Sequence, residues 1–519
     1  MAEPESPPVS TQGSASRGRF VFYAATVFLA SAVLLVLEIA AARLIAPYVG
    51  VSLYTWTSVI GVILAGLSVG NWLGGVWADR GGADGAAGVS LLLSSIAALL
   101  VLLMLTLVAP VIQASRLSLL SASFLFVACL FFLPALMLGI VTPLLTTLAL
   151  KDDSRPGHVI GTMHAMAALG SIAGTFVTGY WLVQTFGTRN VILMAAALLA
   201  LLAAPFLVRS HWRLLVLVML PAAAVVVATN ARGGFDNPCY KESQYYCIRV
   251  EDASRDAPFG QATDLVLDHL VHGTNHETEP GMLLAPYAQL VDELVLGYFG
   301  ADAAHARFLF AGGGAYTLPR AVRALAPQAS VTVAEIDPLV TATAEERLYV
   351  STDGMRVLHT DARVALQGLQ GERFDVIVGD VYQDLAVPYH LTTREFVALV
   401  KTRLAPEGLY LLNLIDVFPD PLLVKSIVKT LGEQFRQVHV WIEEPPAEPT
   451  RITFLVSATD GVEPPVRITA QRGFERRWVR VTDVLVATGT PMDDLPVLTD
   501  DFVPVERLVG RLLTTELGR

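Results

Sequence analysis

The sequence predicts two parts: an N-terminal bundle of transmembrane α-helices, then an α/β half built on a doubly wound, Rossmann-like sheet with a small β-hairpin domain in front of it. Three observations carry this. Seven long apolar runs fill the first 229 residues and stop at Thr229, each near or above the ~20 residues that cross hydrocarbon. From Arg307 onward, short apolar strands alternate with helical stretches, the pattern of a mostly parallel sheet covered on both faces. The stretch Arg307-Phe-Leu-Phe-Ala-Gly-Gly-Gly-Ala-Tyr-Thr-Leu-Pro-Arg320 reads as strand, tight glycine turn and helix start.

Composition agrees with the division. At 519 residues the chain is too long for one typical domain. It is 53% hydrophobic and 16% charged, with a mean hydropathy of +0.54, well off the soluble average. Residues 1–229 carry 10 Lys/Arg against 7 Asp/Glu, whereas residues 230–519 carry 26 against 40, a net of −14. An acidic soluble half argues against nucleic acid as a partner and favours a cationic substrate.

The membrane half is taken in order. Residues 1–19 are polar and rich in Ser and Pro and are expected to form a disordered tail. The first apolar run is longer than a signal-peptide core and lacks a small-residue cleavage pattern. The runs lie at 20–42, 54–77, 88–112, 122–149, 159–183, 190–208 and 212–229. Residues 20–229 are therefore expected to be a bundle of about seven helices, multi-pass in the cell (inner) membrane, with the lipid bilayer as a partner. Glu38 in the first run is either a functional carboxylate or a partner of nearby Arg43. Gly170, Gly174 and Gly179 suggest close helix packing, and Pro134 and Pro143 suggest a broken fourth span. The stretch Gly74-Gly-Val-Trp-Ala-Asp-Arg80 resembles the short Gly-x-x-x-Asp-Arg loop of major facilitator transporters. With the N-terminus in the cytoplasm, basic residues near the span ends fall seven inside to three outside, as the positive-inside rule asks. Seven spans then place the acidic half outside. Cys239 and Cys247, just past the last run, are either a bridge suited to an oxidising compartment or two free thiols. The side that the C-terminal half faces stays open.

In the soluble half, residues 237–290 are expected to be the small β domain and 300–510 the Rossmann-like domain. Strands are expected at 307–311, 330–336, 356–360, 374–379, 408–414, 436–442 and 451–457. Glycines Gly312, Gly313 and Gly314 let the backbone approach a ligand closely, and the helix after them presents unpaired N–H groups. The second strand ends on Glu335, 23 residues past Gly312, where an acid about 20 residues on meets a ribose diol. Four acids fall at strand ends: Glu335, Asp361, Asp380 and Asp416. No His/Cys cluster has metal-ligand spacing and no metal is expected.

The order GGG…EID…DAR…DVIVGDVYQD…YHLTTREF, with the late LTDDFVPVE, resembles spermidine synthase and its polyamine aminopropyltransferase relatives. It is most similar to the membrane-fused branch, in which a multi-span region precedes the synthase-like domain. The resemblance implies an S-adenosylmethionine-dependent transferase fold, with decarboxylated S-adenosylmethionine (or S-adenosylmethionine itself) as co-substrate and a polyamine as small-molecule partner. It also admits a homodimer. Residue by residue, it places Gly312, Gly313 and Gly314 against the methionine-derived part of the ligand. Glu335 falls on the ribose hydroxyls, and Asp361 with Ala362 at the adenine amino group. Asp380 stands at the family's catalytic carboxylate, with Tyr382 and Asp384 in the same loop and Tyr287 on the substrate side. Tyr316 or Tyr382 would face a sulfonium by cation–π attraction, or pack.

Two positions depart from the family. The acid expected after the three glycines, which meets the donor's amine, is Ala315, and the Tyr-His-Glu expected before the core is Tyr287-Ala288-Gln289. The expected function is a membrane-anchored aminopropyltransferase acting on a polyamine such as putrescine. The alternatives are a methyltransferase on the same fold, or a non-catalytic transporter or sensor whose soluble domain binds a nucleoside or polyamine.

Overall fold

The structure is a computed structural model and describes residues 12–81, 83–115, 117–153, 155–207, 212–382 and 387–511. The described residues fall into two units, one built from Gln12–Val49 and Leu53–Pro238, the other from Gly50–Ser52 and Cys239–Arg511.

The first unit is helical: α1 (Gln12–Val49), α2 (Leu53–Asp79), α3 (Ala83–Gln113), α4 (Leu119–Asp152), α5 (Pro156–Val177), a π-turn at Thr178–Leu182 leading into α6 (Val183–Phe186), then α7 (Thr188–Leu207) and α8 (Trp212–Ala231). Among the described residues, six helices are long and apolar enough to cross a membrane. The seventh apolar run is α8, whose side chains are described from Met219 onward; that apolar stretch, Met219–Ala231, is shorter than a span. The expected tail is already helical at Gln12. The fourth span is unbroken, because α4 runs through both Pro134 and Pro143.

Close backbone contact, not side-chain size, joins these helices. Gly66, Gly70 and Gly74 recur every four residues along α2 and lie against the carbonyls of Phe132, Leu136 and Ile140 on α4. A Cβ would sit 2.8 Å from the carbonyl oxygen at Gly66 and 2.7 Å at Gly74, and at Gly70 it would collide with Leu136 outright. Gly74 through Asp79 is thus helix, not the loop that its resemblance suggested. Gly170 and Gly174 seat α5 on Phe28 and Ala32 of α1 in the same manner, whereas a Cβ at Gly179 would meet open space among the described residues.

The second unit opens with a four-stranded antiparallel sheet, β1 (Lys241–Glu242), β2 (Cys247–Asp252), β3 (Ala262–Leu267) and β4 (Leu270–His276), in sequential order. A Cys239–Cys247 disulfide, with Cα atoms 5.2 Å apart, ties the entry of this sheet to β2. Helix α9 (Pro286–Phe299) follows, and then the main sheet: β5 (Arg307–Ala311), α10 (Thr317–Leu325), β6 (Ser330–Ala334), α11 (Pro338–Arg347), β7 (Met355–Leu358), α12 (Ala362–Gly368), β8 (Phe374–Gly379), α13 (Arg394–Arg403), β9 (Leu404–Phe418), α14 (Leu422–Gly432), β10 (Gln437–Ile442), β11 (Thr450–Thr459), β12 (Arg467–Thr469) and β13 (Arg477–Arg480).

The nine strands lie in the order β12-β13-β10-β11-β9-β8-β5-β6-β7. Strands β7-β6-β5-β8-β9 are parallel, and β11, β10, β13 and β12 pair antiparallel beyond them. The sheet is therefore mixed where a mostly parallel one was expected. β12 and β13 are short strands that their sequence does not announce, and β9 runs to Phe418 because β11 pairs with it along its length. Apolar layers cover both faces, one around α12, α13 and α14, the other around α9, α10 and α11. Strand order reverses between β5 and β8, so the crevice of a doubly wound sheet opens at their carboxyl ends.

Candidate active site

The glycine turn and Asp380 meet at that crevice. Asp380 N–H donates to the Ala311 carbonyl at 2.9 Å, and Gly312 N–H to the Ala334 carbonyl at 2.9 Å. Gly312 has φ +92°, and a Cβ there would collide with the Asp380 carbonyl oxygen. Only glycine lets the turn pass this close to the strand beside it. Glu335 then ties the turn down: its Oε2 accepts the N–H groups of Gly313 at 2.8 Å and Gly314 at 3.3 Å, and its Oε1 accepts that of Asp337 at 2.9 Å. Burial pushes the Glu335 carboxyl up despite those three donors.

Asp380 is held differently. Tyr287 Oη from α9 donates to its Oδ2 at 2.9 Å, and Asn413 Nδ2 from β9 donates to its Oδ1 at 2.8 Å. Burial raises the Asp380 carboxyl, while Asn413 and Tyr287 oppose the rise. Tyr382, 8% exposed, donates its hydroxyl to the Asn413 carbonyl at 2.9 Å. Burial also lifts the Tyr287 hydroxyl well above the usual tyrosine range, helped by the Asp380 charge.

Asp361 caps α12: its Oδ1 accepts from Arg363 N at 2.8 Å and Val364 N at 3.2 Å, which puts Ala362 at the first helical position. Its Oδ2 lies 2.8 Å from His390 Nε2, and that contact draws the Asp361 carboxyl below its usual range. Asp384 lies outside the described residues.

Two expected residues are placed elsewhere. Tyr316 is fully buried, at φ +57°, with its hydroxyl 2.8 Å from Thr341 Oγ1. Its ring lies beneath Gly313 and supports the turn from inside, so its side chain does not face a ligand. Asp416 is not at a strand end, because β9 continues past it; its Oδ2 accepts from Leu423 N at 2.9 Å and Val424 N at 3.2 Å, capping α14. Burial pushes that carboxyl up to about 6. Of the four acids, Glu335, Asp361 and Asp380 follow the parallel strands β6, β7 and β8 at one edge, and Asp416 serves the next helix.

The sequence reading missed three residues. Asn413 reaches Asp380 because β9 lies parallel to β8, with Leu412 opposite Gly379; a lone amide in the apolar run Tyr410–Ile415 was the available signal. Tyr246, in the turn just before β2, donates to the Tyr382 carbonyl at 3.1 Å. His272 on β4 has its ring 6.3 Å from that of Tyr246, and burial lowers its pKa to about 4. The departures are structural. Ala315 is 1% exposed, and its carbonyl accepts from Asn275 Nδ2 at 2.7 Å. Ala288 is buried, and Gln289 is spent on the carbonyls of Arg472 and Phe474, 2.8 Å each. Among the described residues no group of three or more His, Cys, Asp and Glu side chains could hold a metal ion.

Comparison with known proteins gives the following. No family model matches the chain. It is 36% identical over 110 residues to the polyamine aminopropyltransferase of Vibrio vulnificus (strain CMCP6), covering 21% of this chain and 37% of that one. It is 32% identical over 231 residues to a probable polyamine aminopropyl transferase of Bifidobacterium longum (strain NCC 2705), covering 40% and 51%. The chain thus spans about half or less of the curated relatives it matches. Among solved structures, a probable spermidine synthase from Corynebacterium glutamicum ATCC 13032 overlaps with a TM-score of 0.41 at 21% identity, over 48% of this chain and 93% of that one.

Proposed function

Starting from a chain that is a relative of the polyamine aminopropyltransferases, the spermidine synthase family, we propose that its C-terminal half transfers an aminopropyl group from decarboxylated S-adenosylmethionine to an amine, and that the apolar helices hold it at a membrane. The observation that carries this is Asp380: a carboxylate at the switch point, beside a glycine turn, with both oxygens oriented by side chains and its pKa raised by burial. A base poised above the ordinary carboxylate range suits a proton acceptor for an ammonium.

The donor's nucleoside half fits the residues present. Glu335 and Asp361 follow successive parallel strands, and Gly312–Gly314 bring bare backbone to the same edge. The donor's amine end fits less well, since Ala315 offers no carboxylate. The co-substrate would supply the electrophilic carbon next to its sulfonium. The acceptor nitrogen's lone pair forms the new N–C bond, the C–S bond breaks with its electrons on sulfur, and sulfur leaves as a neutral thioether. Asp380 takes the proton that the amine loses, Tyr287 and Asn413 keep its oxygens in place, and Glu335 fixes the glycine turn beside it.

Ala315 also favours a second reading, a methyltransferase using S-adenosylmethionine, because no acid there selects the decarboxylated donor. Detergent-purified protein given each donor separately, with putrescine and a panel of amines, tests both. An aminopropylated product with the decarboxylated donor supports the first reading. A methylated product with the ordinary donor replaces it, and binding without any product leaves a sensor.

A further inference from the structure

The turn before β2 reaches the segment that follows Asp380. Tyr246 Oη donates to the Tyr382 carbonyl at 3.1 Å, across 136 residues of chain. Tyr382 in turn donates its hydroxyl to the Asn413 carbonyl, and Asn413 Nδ2 donates to Asp380 Oδ1. At the other end, Asp380 N–H is bonded to the Ala311 carbonyl. The segment from Asp380 to Tyr382 is thus pinned by the main sheet where it starts and by Tyr246 and Asn413 where it ends. Burial, and after it the Glu335 charge, lift the Tyr246 hydroxyl above the usual tyrosine range, so it keeps the proton it donates.

Tyr246 is itself firmly mounted. Ser243, 1% exposed, accepts the N–H groups of Tyr245 at 3.0 Å and Tyr246 at 2.9 Å on its Oγ, and its own N–H donates to the Tyr246 carbonyl at 2.9 Å. The main chain of Tyr246 is satisfied inside the turn, and its side chain is what reaches outward. The next residue, Cys247, is bonded to Cys239, which closes residues 239–247 into one covalent ring. Asp268, between β3 and β4, holds Cys247 from the other side: its Oδ1 accepts the Cys247 N–H and its own N–H donates to the Cys247 carbonyl, 2.9 Å each. The chain has three cysteines, and the two that bridge stand on either side of this turn.

We propose that Tyr246 is a positioning residue for the transfer and that the Cys239–Cys247 bridge works through it. The closed ring sets the hydroxyl, the hydroxyl sets the Tyr382 carbonyl, and that carbonyl fixes the line of the chain that presents Asp380. This rests on the transferase reading for the role of Asp380, but not for the brace itself. The oxidised chain is the working form. Opening the bridge takes two electrons and two protons from a dithiol, which becomes a disulfide while Cys239 and Cys247 become thiols. The turn then keeps its Ser243 and Asp268 bonds but loses its covalent closure, and Asp380 is presented less sharply. Cys239 is half-buried at the entry of the sheet, which gives a small dithiol its approach.

The test uses the full-length protein in detergent. Tyr246→Phe should lower turnover about three- to tenfold, the scale of one uncharged hydrogen bond. Methylthioadenosine should bind that variant by calorimetry with unchanged affinity and stoichiometry, which separates the effect from a loss of folded protein. Dithiothreitol should lower wild-type turnover, to no less than the level of Tyr246→Phe, and should do nothing further to Tyr246→Phe, because two changes that act through one contact do not add. Cys239→Ser should repeat that result without reductant, and the dithiothreitol arm reports even if this variant fails to fold. Hydrogen exchange over Asp380–Tyr382 gives a readout independent of turnover: protection should fall in Tyr246→Phe and in the reduced wild type. Unchanged turnover or unchanged protection in Tyr246→Phe overturns the proposal, as does an equal loss of methylthioadenosine binding, which would make Tyr246 a ligand-holding residue. Losses from dithiothreitol that add to those of Tyr246→Phe overturn the link to the bridge. Lost protection in a chain that transfers nothing to any amine keeps the brace and defeats the transferase reading. Aminopropyl transfer with unchanged protection in Tyr246→Phe does the reverse.

Discussion

The two sides of the site secure their acids by different means. On the side proposed for the nucleoside the carboxylates are tied to backbone: Glu335 takes the N–H groups of Gly313, Gly314 and Asp337, and Asp361 takes those of Arg363 and Val364. On the side proposed for the amine no N–H group of the main chain bonds the Asp380 carboxylate among the described residues; Tyr287, 93 residues earlier, and Asn413, 33 later, hold it. A backbone-tied acid is fixed by its own turn. A side-chain-tied acid depends on two elements arriving from elsewhere, and it can be retuned by changing them.

The largest effect that should separate the two sides is Asp380→Asn. Turnover is expected to fall ~100-fold or more, as for loss of a general base, while affinity for an S-adenosyl ligand stays nearly intact. Calorimetry beside a transfer assay decides it; equal loss of binding would make Asp380 a ligand-holding residue. Next is Glu335→Gln. One side-chain oxygen would become an amide donor facing backbone N–H groups, so nucleoside affinity should drop about ten- to a hundred-fold, and the turn should loosen. Hydrogen exchange at Gly313 and Gly314 reads the second part, and unchanged protection would break the contrast drawn above.

Tyr287→Phe should cost roughly tenfold in rate through the lost hydrogen bond to a charged group. It also has a pH signature. The Asp380 carboxyl is raised by burial and pulled down by Tyr287 and Asn413. A base must be deprotonated, so the rate should be lost as pH falls through that raised value, above the ordinary carboxylate range. Removing Tyr287 should move the loss to still higher pH, and an unshifted profile would show that the proton acceptor is another group. The smallest effect belongs to His390→Gln. It removes one half-exposed partner of Asp361 and should weaken nucleoside binding only about two- to threefold, leaving the rate at saturation unchanged.

The same contrast explains what the sequence disclosed. The glycine turn, Glu335, Asp361 and the βα alternation are local patterns, readable because strand, turn and acid lie within a few residues of each other. Asn413 was hidden because it meets Asp380 through strand register, not through spacing. Asp416 looked like a strand-end acid because nothing local shows that β11 extends β9 to Phe418. Tyr316 looked like a ligand residue, but the left-handed turn at its own Cα carries the ring inward. In the bundle, Pro134 and Pro143 suggested a break, yet α4 continues past both beside α2, its glycine-lined neighbour.

That α2–α4 contact fixes something else. With the helices in the membrane, as proposed, there is little hydrophobic drive between them, so fit of backbone to backbone supplies the attraction. Glycines at every fourth position mark one narrow meridian of α2, and rotating the helix about its axis would bring larger side chains against the carbonyls of α4. The pair therefore has a single angular setting and moves as one strut. Any rearrangement within the bundle must be carried by other helices, with the π-turn at Thr178–Leu182 the irregular joint among them. Spin labels on α2 and α4 should keep one sharp distance in every state of the protein, while labels across α5 and α6 are free to report change.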